Sequence, residues 1–168
     1  MYKRIYYITI KKGDSSKVSK NFTRNEFYSK SIDSPNEHPL ASVLVDAAQI
    51  IRDYYGVPVH IASSFRTKIS NRVAGGALKS LHLTGCAIDL NVASKSAVIN
   101  INKQFKERTG DLFKKLRSIG ITGFGVYGES FVHIDCRRSS DDVPMTEVDE
   151  FGDFQFWDHG KKKSQKKT

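Results

Sequence analysis

The chain has 168 residues and a mass of 18.9 kDa, which suits a single domain with its own hydrophobic core. Its formal charge is +9, and 39% of its residues are hydrophobic, which excludes a wholly disordered chain. No apolar run approaches the ~18 residues of a membrane helix, and two cysteines are too few for a disulfide framework.

The N-terminal third contains one alternating segment, one helix-start pattern and one clear helix. Residues 3–11 alternate in character and predict a first strand. Thr23 is followed three residues later by Glu26, a capping-box pattern that predicts a short helix here. Apolar residues recur at three- and four-residue steps over 40–55, which predicts a helix with Pro39 suited to its first turn.

The rest of the chain mixes strand and helix patterns. Residues 57–62 and 86–92 predict strands, and the segment between them, 63–83, is interpreted as irregular. For residues 94–104 the pattern leaves helix and strand open. The remaining predicted elements are a helix over 112–119 and a hairpin with strands at 123–127 and 131–136.

Helices beside strands without a regular β–α–β rhythm predict the α+β class. We expect one domain over residues 1–158. Its last part, 141–158, contains seven acidic residues and no basic one. Aromatic residues in that part are expected to fold back as a hydrophobic clasp, with binding to a partner as the alternative: Phe151, Phe154, Phe156 and Trp157. Five lysines in the final segment, 159–168, predict a disordered basic tail.

Three residues with metal-binding side chains stand in informative settings. His82 lies in a loop just before a predicted strand, and Asp89 and His133 lie inside apolar strands. An aspartate is depleted in strands and costly to bury unpaired, so Asp89 needs a partner, and a cation is one candidate. Two histidines and one carboxylate leave a fourth position open on a tetrahedral zinc ion, as in catalytic zinc sites.

From spacing alone, other interpretations stay open. A histidine within a strand is more often a satisfied core residue, and a buried aspartate more often pairs with arginine. Strand periodicity places Phe131, Asp135 and Arg137 on the same face as His133.

Several segments, taken in order, resemble the zinc D-Ala-D-Ala carboxypeptidase family and its murein-endopeptidase relatives. The matching segments are 63–67, Asn71, 75–76, 80–89, 125–127 and 131–135, together with 22–27 near the N-terminus. The resemblance covers about residues 22–138. It implies a fold like that of the Hedgehog signalling domain, in which helices flank a small antiparallel sheet and zinc lies in a cleft.

The resemblance also implies roles for individual residues. The implied zinc ligands are His82, Asp89 and His133. Arg66 would bind a carboxylate or carbonyl of the substrate, because a guanidinium pairs with carboxylate in a two-pronged fork. Ser64 would assist it, and Ser80 would orient the loop that carries His82.

The general base departs from the family pattern. Many relatives place Glu or Asp three residues before the last histidine, and here that position is Ser130. We expect Glu129, one residue earlier, to act as the base, with Asp135 orienting His133 or another ligand.

These residues lead to an expected function. We expect a zinc-dependent peptidase that cleaves peptidoglycan stem peptides or cross-links containing D-amino acids, as a carboxypeptidase or an endopeptidase. A noncatalytic zinc domain that recognises a cell-wall peptide or protein is the alternative, and a basic nucleic-acid-binding protein is the third candidate. We expect a monomer with no membrane span and no specific nucleic-acid partner. With no recognisable signal peptide, we expect synthesis in the cytoplasm and action at the wall after lysis or as a phage component.

Overall fold

A computed structural model describes residues 5–129, 131–137, 147–149 and 152–158. The strands, in chain order, are β1 Tyr7–Lys11, β2 Glu37–Ala41, β3 Val59–Ser63, β4 Ala87–Val92, β5 Gly123–Tyr127, β6 Phe131–Asp135, β7 Glu147–Asp149 and β8 Gly152–Asp158. The α-helices are α1 Ser42–Tyr55, α2 Lys68–Val73, α3 Lys95–Glu107 and α4 Asp111–Ile119. Two short 3₁₀ turns cover Arg24–Phe27 and Leu81–Thr84.

The main sheet has the strand order β3-β4-β6-β5-β8-β7. Its neighbours pair antiparallel except β5 and β8, which run parallel. The predicted α+β class is confirmed. The expectation of an antiparallel sheet needs one correction, because β8 pairs parallel with β5, on the side of β5 that faces away from β6. In the described part of the chain, no helix is long and apolar enough to cross a membrane.

β1 and β2 form a separate two-stranded ribbon before α1. Pro39 lies within β2 opposite Thr9, so its predicted place in the first turn of α1 is wrong. A proline without an N–H is tolerated at the exposed edge of a strand, and a ribbon of two strands has two such edges. Beyond Pro39, Ala41 N–H donates to Gly85 O and Ser42 N–H to Tyr6 O, and the helix begins there.

α1 packs the predicted apolar stripe into the core. Its buried residues are Leu44, Val45, Ala47, Ala48 and Ile51. The helix ends at Gly56, whose φ of 63° is the left-handed conformation that glycine adopts without strain. The predicted capping box is also present: Thr23 N–H donates to Glu26 Oε2 at 2.7 Å, although it starts a 3₁₀ turn rather than an α-helix.

Two elements lie inside the segment that was predicted to be irregular, namely α2 and the 3₁₀ turn Leu81–Thr84. α2 lacks a buried apolar stripe, because Ile69 and Val73 are exposed, and periodicity therefore could not reveal it. The ambiguous segment is helix α3. Ser94 caps its start by accepting a hydrogen bond from Ala97 N–H.

The C-terminal aromatic residues return to the body of the protein, as the predicted clasp requires. Phe154 on β8 is fully buried and packs against Phe105 and Phe113, with ring centroids 5.9 Å and 5.3 Å away. Phe156 packs partly buried against the same core. Phe151 and the predicted tail 159–168 lie outside the described residues.

A buried histidine in β2 predicts how stability depends on pH. Ser29 N–H donates to His38 Nε2, and the imidazole lies 4.9 Å from the ring of Phe65. Burial lowers the pKa of His38, although its hydrogen bond to Pro39 O opposes the shift. The unfolded chain therefore takes up a proton more readily than the folded one, and stability falls as the pH drops below about 6.5, by at most about 1.4 kcal/mol per pH unit.

Replacing His38 by glutamine, whose Oε1 can accept from Ser29 N–H, should flatten this dependence. Urea unfolding between pH 5 and pH 8 measures it. His60→Gln, which changes an exposed histidine on β3, is the matched control and should keep the wild-type slope. Equal slopes for His38→Gln and the wild type would contradict the assignment.

Candidate metal centre

Two neighbouring strands carry two of the three candidate ligands. β4 and β6 pair antiparallel, and Asp89 lies directly opposite His133. Both side chains are buried, with exposed fractions of 4% and 7%. A nitrogen of His82, a nitrogen of His133 and a carboxylate oxygen of Asp89 all lie within 4.8 Å of one another. The structure thus brings together three side chains that stand far apart in the sequence.

The turn before β4 positions His82. Ser80 Oγ accepts the backbone N–H of His82, and Cys86 N–H closes the turn on Leu81 O. The turn ends at Gly85, with a φ of 71°, where a Cβ would lie only 2.3 Å from Pro39 O. Only glycine fits this close approach, so the turn carrying His82 is held tightly against β2.

Each imidazole has one nitrogen engaged by an acceptor outside the centre. His82 Nδ1 lies 2.5 Å from Ser64 O, and His133 Nε2 lies 3.1 Å from Asp135 Oδ2. Because a carbonyl and a carboxylate can only accept, both of these nitrogens carry the proton. The other nitrogens, His82 Nε2 and His133 Nδ1, face Asp89 Oδ1 at 3.3 Å and 2.8 Å.

This arrangement tests whether a metal ion fits. If the facing nitrogens carry no proton, they point lone pairs at a negative oxygen, which is repulsive unless a further proton or a metal ion lies among the three atoms. A divalent cation satisfies all three donors together, and orientation of each imidazole by an outer acceptor is typical of metal-binding histidines. The donor set therefore fits a metal, with His82 Nε2, His133 Nδ1 and Asp89 as the side chains that would hold it.

The electrostatics of the centre agree with this reading. Burial alone would raise the pKa of Asp89, but hydrogen bonds to His133 and His82 outweigh it and hold that pKa well below its usual range. Burial alone would lower the pKa of His133, but its hydrogen bonds to Asp135 and Asp89 raise it overall. The carboxylates of Asp89 and Asp135 thus favour a positive charge beside His133, and a bound metal ion would supply one.

Asp135 lies behind His133 and is fully buried. Arg137 Nε donates to its Oδ1 at 2.8 Å, and Arg137 Nη2 donates to its Oδ2. Burial alone would raise the pKa of Asp135, but the hydrogen bonds from Arg137 and His133 hold it well below its usual range. This placement supports the predicted orienting role of Asp135, since its carboxylate accepts from His133 and has no path to solvent.

Arg66 borders the centre from the loop after β3. Its Nη2 donates to Asp89 Oδ2 at 2.8 Å, and its Nε donates to Ser63 Oγ at 2.9 Å. The guanidinium also lines the cleft above the three candidate ligands. Its proposed contact with a substrate carboxylate stays a prediction, but its side chain lies where such a contact requires it.

The two serines of the predicted site differ in placement. Ser80 lines the cleft and binds the backbone of His82, as expected for a residue that orients this loop. The Ser64 hydroxyl points into the protein and donates to Phe27 O at 2.6 Å. Its backbone carbonyl, rather than its hydroxyl, contacts His82, so the placement gives no support to a substrate contact by the Ser64 side chain.

The structure does not bring the predicted base to the centre. Glu129 is exposed on the β5–β6 turn, and its Oε2 lies 2.7 Å from Lys95 Nζ. Ser130, at the usual family position of the base, lies outside the described residues. Within the described chain, Asp89 is the one carboxylate that lines the cleft. The role of Glu129 stays a prediction that requires it to leave Lys95.

The cleft has a volume of about 790 Å³, within the usual range for ligand sites. Part of its lining was not predicted to bind substrate: Tyr127, Phe131, Arg137, Gln155 and Trp157. Strand alternation had placed Phe131 and Arg137 on the face of His133, which was a usable signal. Trp157 and Gln155 reach the cleft only through the parallel pairing of β8 with β5, for which the sequence carries no local signal.

An open cleft with two imidazoles and one carboxylate at its floor is an arrangement that catalytic zinc sites of hydrolases use. A protein-family model described as Peptidase M15 matches residues 17–135. Because this match covers well over half of the chain, the protein belongs to the Peptidase M15 family, and its class is that of the metallopeptidases. The resemblance to zinc D-Ala-D-Ala carboxypeptidases is thereby confirmed. Among curated proteins and among solved structures, no match is found.

Proposed function

We propose that this chain is a zinc peptidase that hydrolyses peptide bonds in peptidoglycan stem peptides or cross-links containing D-amino acids. The observation that carries the proposal is the convergence of His82, Asp89 and His133 at an open cleft, with the outer nitrogen of each imidazole already engaged. Membership of the Peptidase M15 family supports the reaction class.

The chain's own residues set up the reaction. His82 Nε2, His133 Nδ1 and Asp89 would hold the ion, and zinc is the metal that best suits two imidazoles and one carboxylate in a hydrolase. When bound, zinc polarises a carbonyl and lowers the pKa of water toward ~7. Asp135 keeps the proton of His133 on Nε2, so that the lone pair of Nδ1 stays available to bind the ion.

Arg66 would position the substrate. Its guanidinium lies in the cleft lining, held in place by Ser63 Oγ and Asp89. A guanidinium fixed at both Nε and Nη2 can present its remaining N–H groups to a carboxylate or carbonyl of the peptide. Holding the peptide in one register makes the attack on its amide effectively intramolecular.

Digestion of purified peptidoglycan, with the fragments identified by mass, tests the proposal. We expect fragment release that a chelator stops and added zinc restores. Loss of a single terminal D-alanine would show a carboxypeptidase, and separated cross-linked stems would show an endopeptidase. Release of no fragment by the zinc-loaded protein would contradict the proposal.

A second function is favoured by one observation, namely that no carboxylate other than Asp89 lines the cleft among the described residues. Without a general base, the same centre would bind a cell-wall peptide and leave it intact. Zinc-dependent sedimentation of the protein with peptidoglycan, without any released fragment, would identify this noncatalytic binding domain.

A further inference from the structure

β8 lies beyond the segment that matches the family model, yet it forms part of the cleft. It pairs parallel with β5, placing Trp157 beside Gly125 and Gln155 beside Gly123. Both Trp157 and Gln155 line the cleft that contains the candidate metal centre. A segment outside the family match therefore borders the site where the substrate would bind.

The ring of Trp157 is held in place from several sides. A Cβ at Gly125 would lie 2.5 Å from the indole, so the ring occupies the space that a side chain on β5 would fill. Trp157 Nε1–H donates to Tyr127 Oη at 3.2 Å, and the guanidinium carbon of Arg137 lies 4.7 Å from the ring centroid. A ring fixed in this way loses little conformational entropy when a ligand binds against it.

Trp157 belongs to a group of three aromatic residues in the cleft lining, which we call the aromatic wall: Tyr127, Phe131 and Trp157. The rings of Tyr127 and Phe131 stack with centroids 4.5 Å apart and planes 14° apart. The Trp157 ring lies 5.1 Å from the imidazole of His133. The wall thus places apolar surface directly beside the candidate metal centre.

The charges of the cleft restrict what can bind against this wall. Three cationic side chains, Arg66, Lys79 and Arg137, line the same cleft. They disfavour a cationic substrate side chain beside the metal centre, while the aromatic rings favour an apolar one. An apolar side chain loses no hydrogen bond to water on contact with the rings, whereas a polar uncharged one does.

We propose that the aromatic wall is the subsite for the apolar side chain of the substrate residue next to the cleaved bond, with Trp157 of β8 as its specificity-determining residue. The inference rests on the proposed peptidase function and deepens it. We assign the subsite to the methyl group of D-alanine, the apolar side chain that the proposed substrate carries. Contact with a fixed ring makes the peptide with that methyl group a better substrate than its glycine analogue.

The test compares zinc-loaded wild type and variants on synthetic stem peptides that end in D-Ala-D-Ala, D-Ala-Gly or Gly-D-Ala. In the wild type, we expect glycine at one of the two positions to lower kcat/KM by about tenfold or more. Trp157→Ala should reduce that discrimination to within about threefold, mainly through KM, without changing the bound zinc. Trp157→Phe, which keeps an aromatic ring, should retain most of it.

A binding measurement keeps the inference testable if Trp157→Ala does not fold. Trp157 is the only tryptophan in the chain, so its fluorescence reports on the wall. A D-Ala-D-Ala peptide whose scissile amide is replaced by an uncharged ketomethylene group should change this emission saturably, and the glycine analogue should need a higher concentration. Tyr54→Ala, which removes an exposed aromatic side chain from α1, is the control and should bind like the wild type.

The failures can be told apart. Unchanged discrimination in Trp157→Ala, or no emission change on peptide binding, would overturn the aromatic wall while leaving hydrolysis by the wild type intact. Peptide-dependent emission without cleavage of any stem peptide would overturn the peptidase function and support the wall as a peptide-binding surface.

Discussion

Replacing Asp89 by asparagine is expected to abolish metal binding and to lower peptidase activity by at least about 1,000-fold. Asparagine keeps the shape of the side chain but removes the negative charge that faces His82 Nε2 and His133 Nδ1. A bound metal ion contributes several kcal/mol to the transition state, and each 1.36 kcal/mol corresponds to about a factor of ten in rate. Metal content after gel filtration and hydrolysis of peptidoglycan measure the two effects.

Asp46→Asn provides the matched control, because it removes a carboxylate from the exposed face of α1. This variant should keep wild-type metal content and activity. If Asp89→Asn retained one equivalent of zinc and cleaved peptidoglycan at the wild-type rate, the candidate metal centre would be wrong. Loss of activity with full metal content would instead show that Asp89 acts on the substrate.

Replacing Asp135 by asparagine is expected to destabilise the protein by about 3–5 kcal/mol and to weaken zinc binding by about 10- to 100-fold. The first effect arises because Arg137 would keep its charge in a buried place without the carboxylate that pairs with it. The second arises because His133 would lose the acceptor that orients its ring. Urea unfolding of chelator-treated protein and zinc titration measure these effects separately.

A second substitution separates the two roles of Asp135. In the double variant Asp135→Asn with Arg137→Met, the unpaired buried charge is gone, so part of the lost stability should return. Zinc affinity should stay low, because nothing restores the acceptor behind His133. A single variant that unfolds within about 1 kcal/mol of the wild type would contradict the buried ion pair.

The parts of the fold that local sequence patterns specify were predicted well. Apolar runs bounded by turn residues identified β4, β5 and β6, which are buried along nearly their whole length, and the periodic apolar stripe identified α1. α2 leaves no such trace, since its apolar residues Ile69 and Val73 are exposed. Pro39 was misplaced because proline suits both a helix start and an exposed strand edge, and only the pairing with β1 decides between them.

In the candidate site, too, some residues could be placed from the sequence and others could not. The convergence of His82, Asp89 and His133 agrees with the pattern of an ionisable residue inside each apolar strand, together with the family resemblance. The positions of Glu129 and Ser64 could not be predicted, because a hydrogen bond to Phe27 or an ion pair with Lys95 depends on tertiary contacts. The wall formed by Trp157 depends on a parallel strand pairing between distant segments.

Because Asp89 pairs directly with His133, the candidate metal centre depends on the register between β4 and β6. Because side chains alternate across a strand, slippage of β4 against β6 by one position would leave one of the two on the wrong side of the sheet. The aliphatic residues on the reverse side resist that slippage, since they would have to enter the polar cleft: Ile88, Leu90, Val132 and Ile134. Ile88 and Ile134 thus help to keep the candidate metal ligands aligned without contacting the site. Substitutions in this part of the hydrophobic core are therefore expected to lower activity.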